Sequence, residues 1–329
     1  MSDDEVVIME KDEVPEFARG ATWNLEGLTH GLRWVGYRAM RPRFSYDRFL
    51  MQQAKRGLDQ GETLEEQDRI DKVFSPDSSE NVIFTDGTPG SRVIDICAKN
   101  FQRLGPGGWL EDNVVDAYCY LLLSESLLRP AENRVRILNT FFFKRNPGDT
   151  LDEFKKRAKK TTSRHPEVRT LTERERMLLF LQYTYAFPYN INGNHWIAVV
   201  ADNYTCTFTV FDSLLRNLKE TETNIREKLE PAFNYIRAQV DAPANPWTIV
   251  FEDTPQQQNC YDCGVFACAK LASLVARSRK PFTQKDVLAF RRYMALEILR
   301  HSTTKAEPAP TEGKLLTEDS DGAIVLDSD

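Results

Sequence analysis

The stretch from Gly264 to Ala276 contains only two polar side chains, Lys270 and Ser273. A helix made from it is apolar on every side, so it must be buried, with other elements wrapped around it. That demand excludes a small or loosely ordered protein. The chain has 329 residues, 41% hydrophobic and 28% charged, enough for one large domain with extensions or for two modest ones. No apolar run approaches the roughly 18 to 20 residues that cross a membrane. The chain opens with Ser2, Asp3, Asp4 and Glu5, where a signal peptide would carry basic residues. An intracellular protein, nuclear or cytoplasmic, is expected.

Around that helix the sequence alternates between element types. Residues 182–187, 196–201, 205–211 and 248–252 are rich in aromatic and β-branched residues and are separated by turn formers, which predicts strands. Thr63 with Glu66 forms a capping-box pattern ahead of Ile70, Val73 and Phe74, after an earlier short helix with Phe49, Leu50, Ala54 and Leu58 on one face. Asp112 is placed to cap a helix containing Val114, Val115, Tyr118 and Leu122. Thr150 with Glu153 precedes a basic helix, Lys155 to Lys160, read as a solvated face. Thr283 caps a last amphipathic helix with Val287, Phe290, Met294 and Ile298 on one side. The class is α+β, without internal repeats. Four segments follow: an acidic tail (1–20), a helical extension (21–82), the main domain (83–301) and a disordered acidic tail (302–329).

Net charge is −6, and the negative excess is concentrated at the two ends. Residues 1–16 hold −6 and residues 303–329 hold −5, which leaves the body mildly basic. Such a body lacks the strong basic stripe of a nucleic-acid binder. Six cysteines in a chain of this size are too sparse for a secreted disulfide framework, so free thiols are the default and a nucleophile is available. No second C-x-x-C or paired histidine accompanies Cys260 and Cys263, which argues against a metal.

Three residues stand where nucleophilic chemistry would need them. Cys263 lies at the junction of a polar loop, Gln256 to Asp262, with the apolar helix. There the macrodipole favours the thiolate, and the Cys263 N–H is a helix-end donor suited to an oxyanion. His195 opens one strand and Asp212, seventeen residues on, ends the next. Antiparallel neighbours of that length can bring the two together, so that the carboxylate fixes the imidazole tautomer. Gly264 is expected to leave room for a substrate backbone, and an upstream side-chain amide would complete an oxyanion hole.

His195-Trp196, then Asp212-Ser213, then Gln257, Asn259, Asp262, Cys263 and Gly264 in the pattern Q-x-N-x-x-D-C-G resemble the catalytic core of the SUMO-specific cysteine proteases, the ubiquitin-like-protein proteases of the adenain type. GGWLEDNVVDAYCYLL (107–122), LNTFFFKR (138–145) and FPYNINGNHW (187–196) resemble further blocks of that family, in the same order.

The resemblance implies a papain-like fold with a mixed central sheet flanked by helices and the order His, Asp, Cys. It implies that Cys263 is the nucleophile, His195 the base and acid, Asp212 the orienter and Gln257 the oxyanion donor, with Gln256 and Gln258 as nearest rivals. It further implies that Trp109 and Trp196 wall a narrow passage for a Gly-Gly terminus, and that Asp112 pairs with a modifier arginine. The expected activity is cleavage after the C-terminal Gly-Gly of a ubiquitin-like modifier, SUMO first, with the cullin modifier or ubiquitin as alternatives and a catalytically silent SUMO-binding scaffold as the rival class. No cofactor, nucleic acid or membrane is expected, and the protein is expected to be a monomer. Two departures stand out: Cys260 replaces a common glycine, which raises a reversible Cys260–Cys263 disulfide, and Glu111 replaces an asparagine. Val6 to Met9 and Ile324 to Leu326, short β-prone runs beside acids, resemble SUMO-interacting motifs.

Overall fold

The computed structural model describes residues 63–78, 82–85, 93–127, 135–140, 181, 183–214, 218–238 and 241–304. The expected helices around Phe49 to Leu58 and Lys155 to Lys160, and both tail motifs, lie outside these residues.

A five-stranded mixed sheet forms the centre, in the order β3-β4-β5-β6-β7. Its strands are β3 (Arg136–Ile137), β4 (Thr184–Ile191), β5 (His195–Asp202), β6 (Thr207–Phe211) and β7 (Thr248–Phe251). The β4–β5 and β5–β6 pairs are antiparallel, whereas β3–β4 and β6–β7 are parallel. β5 reads HWIAVVAD, nearly all apolar. A strand covered on both faces must be so. Its alternate residues divide between two cores: Trp196 and Ala198 join one, while Ile197, Val199 and Ala201 join the other.

The first core holds the apolar helix, α5 (Cys263–Ala276), together with α3 (Asp112–Leu127) and α6 (Val287–Arg300). Twelve of the fourteen α5 residues are buried, as its composition demands. The second core lies under α4 (Leu218–Ala238), whose Ile225, Leu229, Phe233 and Ile236 pack with Phe208 and Trp247. No element is predicted for this stretch from the sequence, and Pro231 lies inside the helix.

A second, antiparallel sheet, β2-β1-β8, joins β1 (Val82–Thr85), β2 (Val93–Ile96) and β8 (Ser302–Thr304). β8 thus uses the first residues of the expected C-terminal tail. α1 (Leu64–Phe74) carries the expected capping box between Thr63 and Glu66. It docks on α6, where Arg69 donates to the carbonyls of Leu299 and Ser302 and Glu66 pairs with Arg300 at 2.7 Å. A short helix, α2 (Ala98–Gln102), leads into the glycine-rich turn.

Two expectations shift. Helix α3 begins at Asp112, and the carbonyl of Glu111 accepts the Val115 N–H, so Glu111 takes the cap position and Asp112 the first turn. Of the block 138–145, Leu138 follows the short β3 and donates its N–H to the Ala186 carbonyl, while Phe141 to Arg145 lie outside the described residues. Thr283 does carry a capping box, with its N–H and Oγ1 both on the Asp286 carboxylate, but on a 3₁₀ turn (Gln284–Asp286) that leads into α6.

Candidate active site

The β4–β5 hairpin delivers His195. Its turn, Asn192, Gly193 and Asn194, uses positive φ at Asn192 (53°) and Gly193 (79°), and Ile191 pairs directly with His195. Asn192 is tied to α4, donating to Glu220 and accepting from Asn224. His195 thus starts β5 at a fixed point.

Asp212 follows the last residue of β6, which pairs alongside β5. Its Oδ1 lies 2.8 Å from His195 Nε2 and also accepts the Leu214 N–H at 2.8 Å. The carboxylate is buried. With Nε2 engaged, Nδ1 is the ring nitrogen left for the third partner.

That partner is Cys263, the first residue of α5, buried at the foot of the helix. Its N–H has no carbonyl inside the helix to bond. Burial of the His195 ring lowers its pKa, but the hydrogen bonds with Asp212 and Cys263 and the charges of both outweigh it and raise the ring to about 9. The imidazolium is therefore the resting form at neutral pH, which suits a thiolate–imidazolium pair.

The three neighbouring glutamines separate by geometry. Gln257 is buried; its Oε1 accepts from Ser213 Oγ at 2.8 Å and its Nε2 donates to the Asn259 carbonyl at 2.6 Å. One amide proton remains. Gln256 is exposed and spends both protons on the carbonyls of Asp212 and Thr254, and Gln258 is exposed too. Residues 212 and 213 therefore hold the imidazole and the amide from one short segment.

Trp196 is buried, with its indole N–H donating to the Leu110 carbonyl at 3.0 Å. Trp109, one residue before Leu110, is 40% exposed. One indole is thus inside and the other at the surface. Asp112 opens α3 three residues further on and is half-buried.

Gly264 departs from its expected role. A Cβ there would meet Leu110 Cβ at 3.0 Å and Trp196 Cδ1 at 3.2 Å. The glycine therefore lets α5 close on those two side chains rather than leaving space for substrate. Cys260 and Cys263 are free thiols, the first exposed and the second buried. Among the described residues no group of His, Cys, Asp or Glu is arranged to hold a metal ion, and no helix is long and apolar enough to cross a membrane.

Sequence reasoning missed Ser213 as the anchor of the amide and Arg291 as the partner of Asp262. Arg291 Nη2 lies 2.6 Å from Asp262 Oδ1, and both side chains are buried. The D-C-G motif marks Asp262, but nothing local marks its counterpart.

The sequence profile of the Ulp1 protease family, C-terminal catalytic domain, matches residues 108–306. The chain is 28% identical over 240 residues to the ubiquitin-like-specific protease ESD4 of Arabidopsis thaliana, covering 72% of this chain and 46% of that one. It is 25% identical over 254 residues to a sentrin-specific protease of Caenorhabditis elegans, covering 71% and 32% respectively. The chain thus spans about half the length, or less, of these relatives. Among solved structures, the C-terminal Ulp1 protease domain in complex with SMT3, the yeast ortholog of SUMO, matches with a TM-score of 0.52 and 22% identity, over 73% of this chain and 96% of that one. The SUMO protease Ulp1 with its catalytic cysteine oxidized to a sulfenic acid gives a TM-score of 0.53 and 20% identity, over 73% and 95%. The α+β fold, with its mixed sheet between helices, is the one these structures share.

Proposed function

Because this chain belongs to the Ulp1 protease family, we propose that it is a cysteine isopeptidase and endopeptidase that cleaves after the C-terminal Gly-Gly of a ubiquitin-like modifier, with SUMO as the preferred one. The observation that carries the reading is the His195 ring, held by Asp212 at 2.8 Å and hydrogen-bonded to Cys263, with its pKa raised to about 9.

In this reading the Cys263 thiolate attacks the carbonyl of the terminal glycine. The oxyanion is received by the Cys263 N–H and the remaining Gln257 amide proton. His195 gives its proton to the leaving amine, the C–N bond breaks and a thioester forms. Water, deprotonated by the now neutral His195, then hydrolyses the thioester, expelling the Cys263 thiolate and restoring the imidazolium beside it. Trp109 and Asp112 receive the modifier's C-terminal segment, and Trp196 backs the passage from inside. Side chains larger than glycine would be excluded by two indoles closing on an extended backbone. No step requires a cofactor. Free thiols throughout the described residues favour a reducing, intracellular setting in nucleus or cytoplasm.

The experiment is a panel of modifier C-terminal vinyl sulfones. The SUMO probe labels the wild type and fails on Cys263→Ser, while the ubiquitin and cullin-modifier probes label weakly or not at all. Labelling by ubiquitin alone would overturn the preference. No labelling by any probe would leave the chain a binding scaffold.

A further inference from the structure

We propose that Arg291 is a positioning residue that locks the glycine-rich turn bearing Trp109 to the first turn of the nucleophile's helix. The inference deepens the function proposed above and rests on it for its catalytic consequence.

The turn after α2 folds back tightly. Gly107 has φ of 78°, and a Cβ at Gly108 would lie 2.2 Å from the Arg103 carbonyl oxygen. This path turns three backbone carbonyls, those of Arg103, Gly105 and Gly108, towards one point; within the turn the Gly105 carbonyl accepts the Gly108 N–H at 3.3 Å, and the buried acceptors still need further donors. The Arg291 guanidinium occupies that point. Nη1 donates to Arg103 O at 2.9 Å and Gly105 O at 3.2 Å, and Nη2 to Gly108 O at 2.7 Å. The same group meets Asp262 Oδ1 at 2.6 Å through Nη2 and 3.2 Å through Nε, and reaches the Tyr261 carbonyl. Asp262 is the N-cap of α5, immediately before Cys263, and its other oxygen accepts from Asn259 and Gln284.

One buried cation therefore neutralises the carboxylate beside the nucleophile and satisfies the turn that carries the exposed indole. The chain on the far side of Trp109 is pinned separately, by Trp196 Nε1 on the Leu110 carbonyl. Trp109 is thus suspended between two fixed carbonyls, one held from the Cys263 side and one from the His195 side. A single ammonium cannot span the carboxylate and three carbonyls, because a lysine offers a compact point charge without the planar fork.

The test is Arg291→Lys, read by hydrogen exchange and by kinetics. Exchange at residues 103–108 accelerates. The kcat/KM for a SUMO C-terminal fluorogenic substrate falls about 10- to 100-fold, mainly through KM, as displacement of a positioning group by about 1 Å does. Alkylation of Cys263 by iodoacetamide keeps its rate and pH profile, since the His195–Asp212 contact is untouched. Unchanged exchange in the turn overturns the proposal. So does a loss of alkylation that runs parallel with the loss of turnover. If Arg291→Lys does not fold, Asp262→Asn serves. Asp262 makes none of the described hydrogen bonds to residues 103–108, so faster exchange there can reach the turn only through Arg291, and unaltered exchange sinks the coupling. A wild-type protein inactive on every modifier substrate would refute the function, while the exchange measurements would still decide the role of Arg291.

Discussion

Replacing Asp212 by asparagine isolates the charge behind His195 from its geometry. Both hydrogen bonds to the carboxylate, from the His195 ring and from the Leu214 N–H, end on Oδ1 at 2.8 Å. An asparagine carbonyl oxygen can take both bonds, so the ring keeps its tautomer and place, and only the negative charge disappears. The ring is raised to about 9 against the lowering effect of burial. A unit charge about 4 Å away at an effective dielectric near 20 is worth about 4 kcal/mol, an upper figure equal to about three pKa units. Opposite charges at such range shift pKa values by about 1 to 3 units. The imidazolium of Asp212→Asn should therefore titrate between about 6 and 8. Raised in the wild type, the charged ring persists until pH passes about 9; in the variant it is lost one to three units earlier. The loss of kcat/KM should be small near pH 6 and grow to about 100-fold near pH 8 at the larger shift. The assay is kcat/KM for a fluorogenic SUMO C-terminal substrate, with iodoacetamide alkylation of Cys263 as a second profile. An alkaline limb that stays near pH 9 in the variant would refute the assignment of the shift to Asp212.

The remaining predictions address other parts of the molecule. Gln257→Ala should lower kcat by about 10²- to 10³-fold while leaving Cys263 alkylation intact, as removal of an oxyanion donor does; a drop in alkylation would show that the amide acts on the thiol instead. Gly264→Ala puts a Cβ 3.0 Å from Leu110 and 3.2 Å from Trp196, and should cost about 1 to 3 kcal/mol of stability in a urea titration. Burial raises the Glu297 carboxyl to about 8 despite the charge and hydrogen bond of Arg300. The folded state then holds a proton that the unfolded chain releases, so stability falls as pH rises from about 4.5 through about 8; Glu297→Gln should flatten that decline, by about 3 kcal/mol at neutral pH, in urea midpoints taken across the range. Deleting both Val6 to Met9 and Ile324 to Leu326 should weaken SUMO binding by calorimetry without changing turnover of a minimal substrate, and equal affinity in the truncated protein would retire these motifs.

Much of the site is legible because each reacting group sits at a boundary that sequence marks well. His195 follows an Asn-Gly-Asn turn, Asp212 closes an aromatic and β-branched run, and Cys263 stands where a polar loop becomes an apolar helix. Local signals fix those places, and sheet pairing then brings them together. What sequence does not mark is the partner whose burial depends on distant acceptors. Ser213 looks like an ordinary residue after a strand until Gln257, 44 residues later, turns its amide onto the hydroxyl. Gly264 looks like an allowance for substrate because its two close neighbours, Leu110 and Trp196, belong to other elements.

Arg291 is the sharpest case. It lies on α6 directly after Phe290 and three residues before Met294, both fully buried, and periodicity assigns a charge in such a pattern to solvent. The structure turns it inward because the acceptors that converge on it come from residues 183 to 188 positions away and from Asp262. A buried guanidinium without them would leave the interior with an unpaired charge, and a buried aspartate without Arg291 would do the same. Neither residue is stable in its place alone, so the pair and the tight glycine turn must form together. The local pattern carries half of that condition in Gly107 and Gly108; the other half exists only once α6 has packed against α3 and α5.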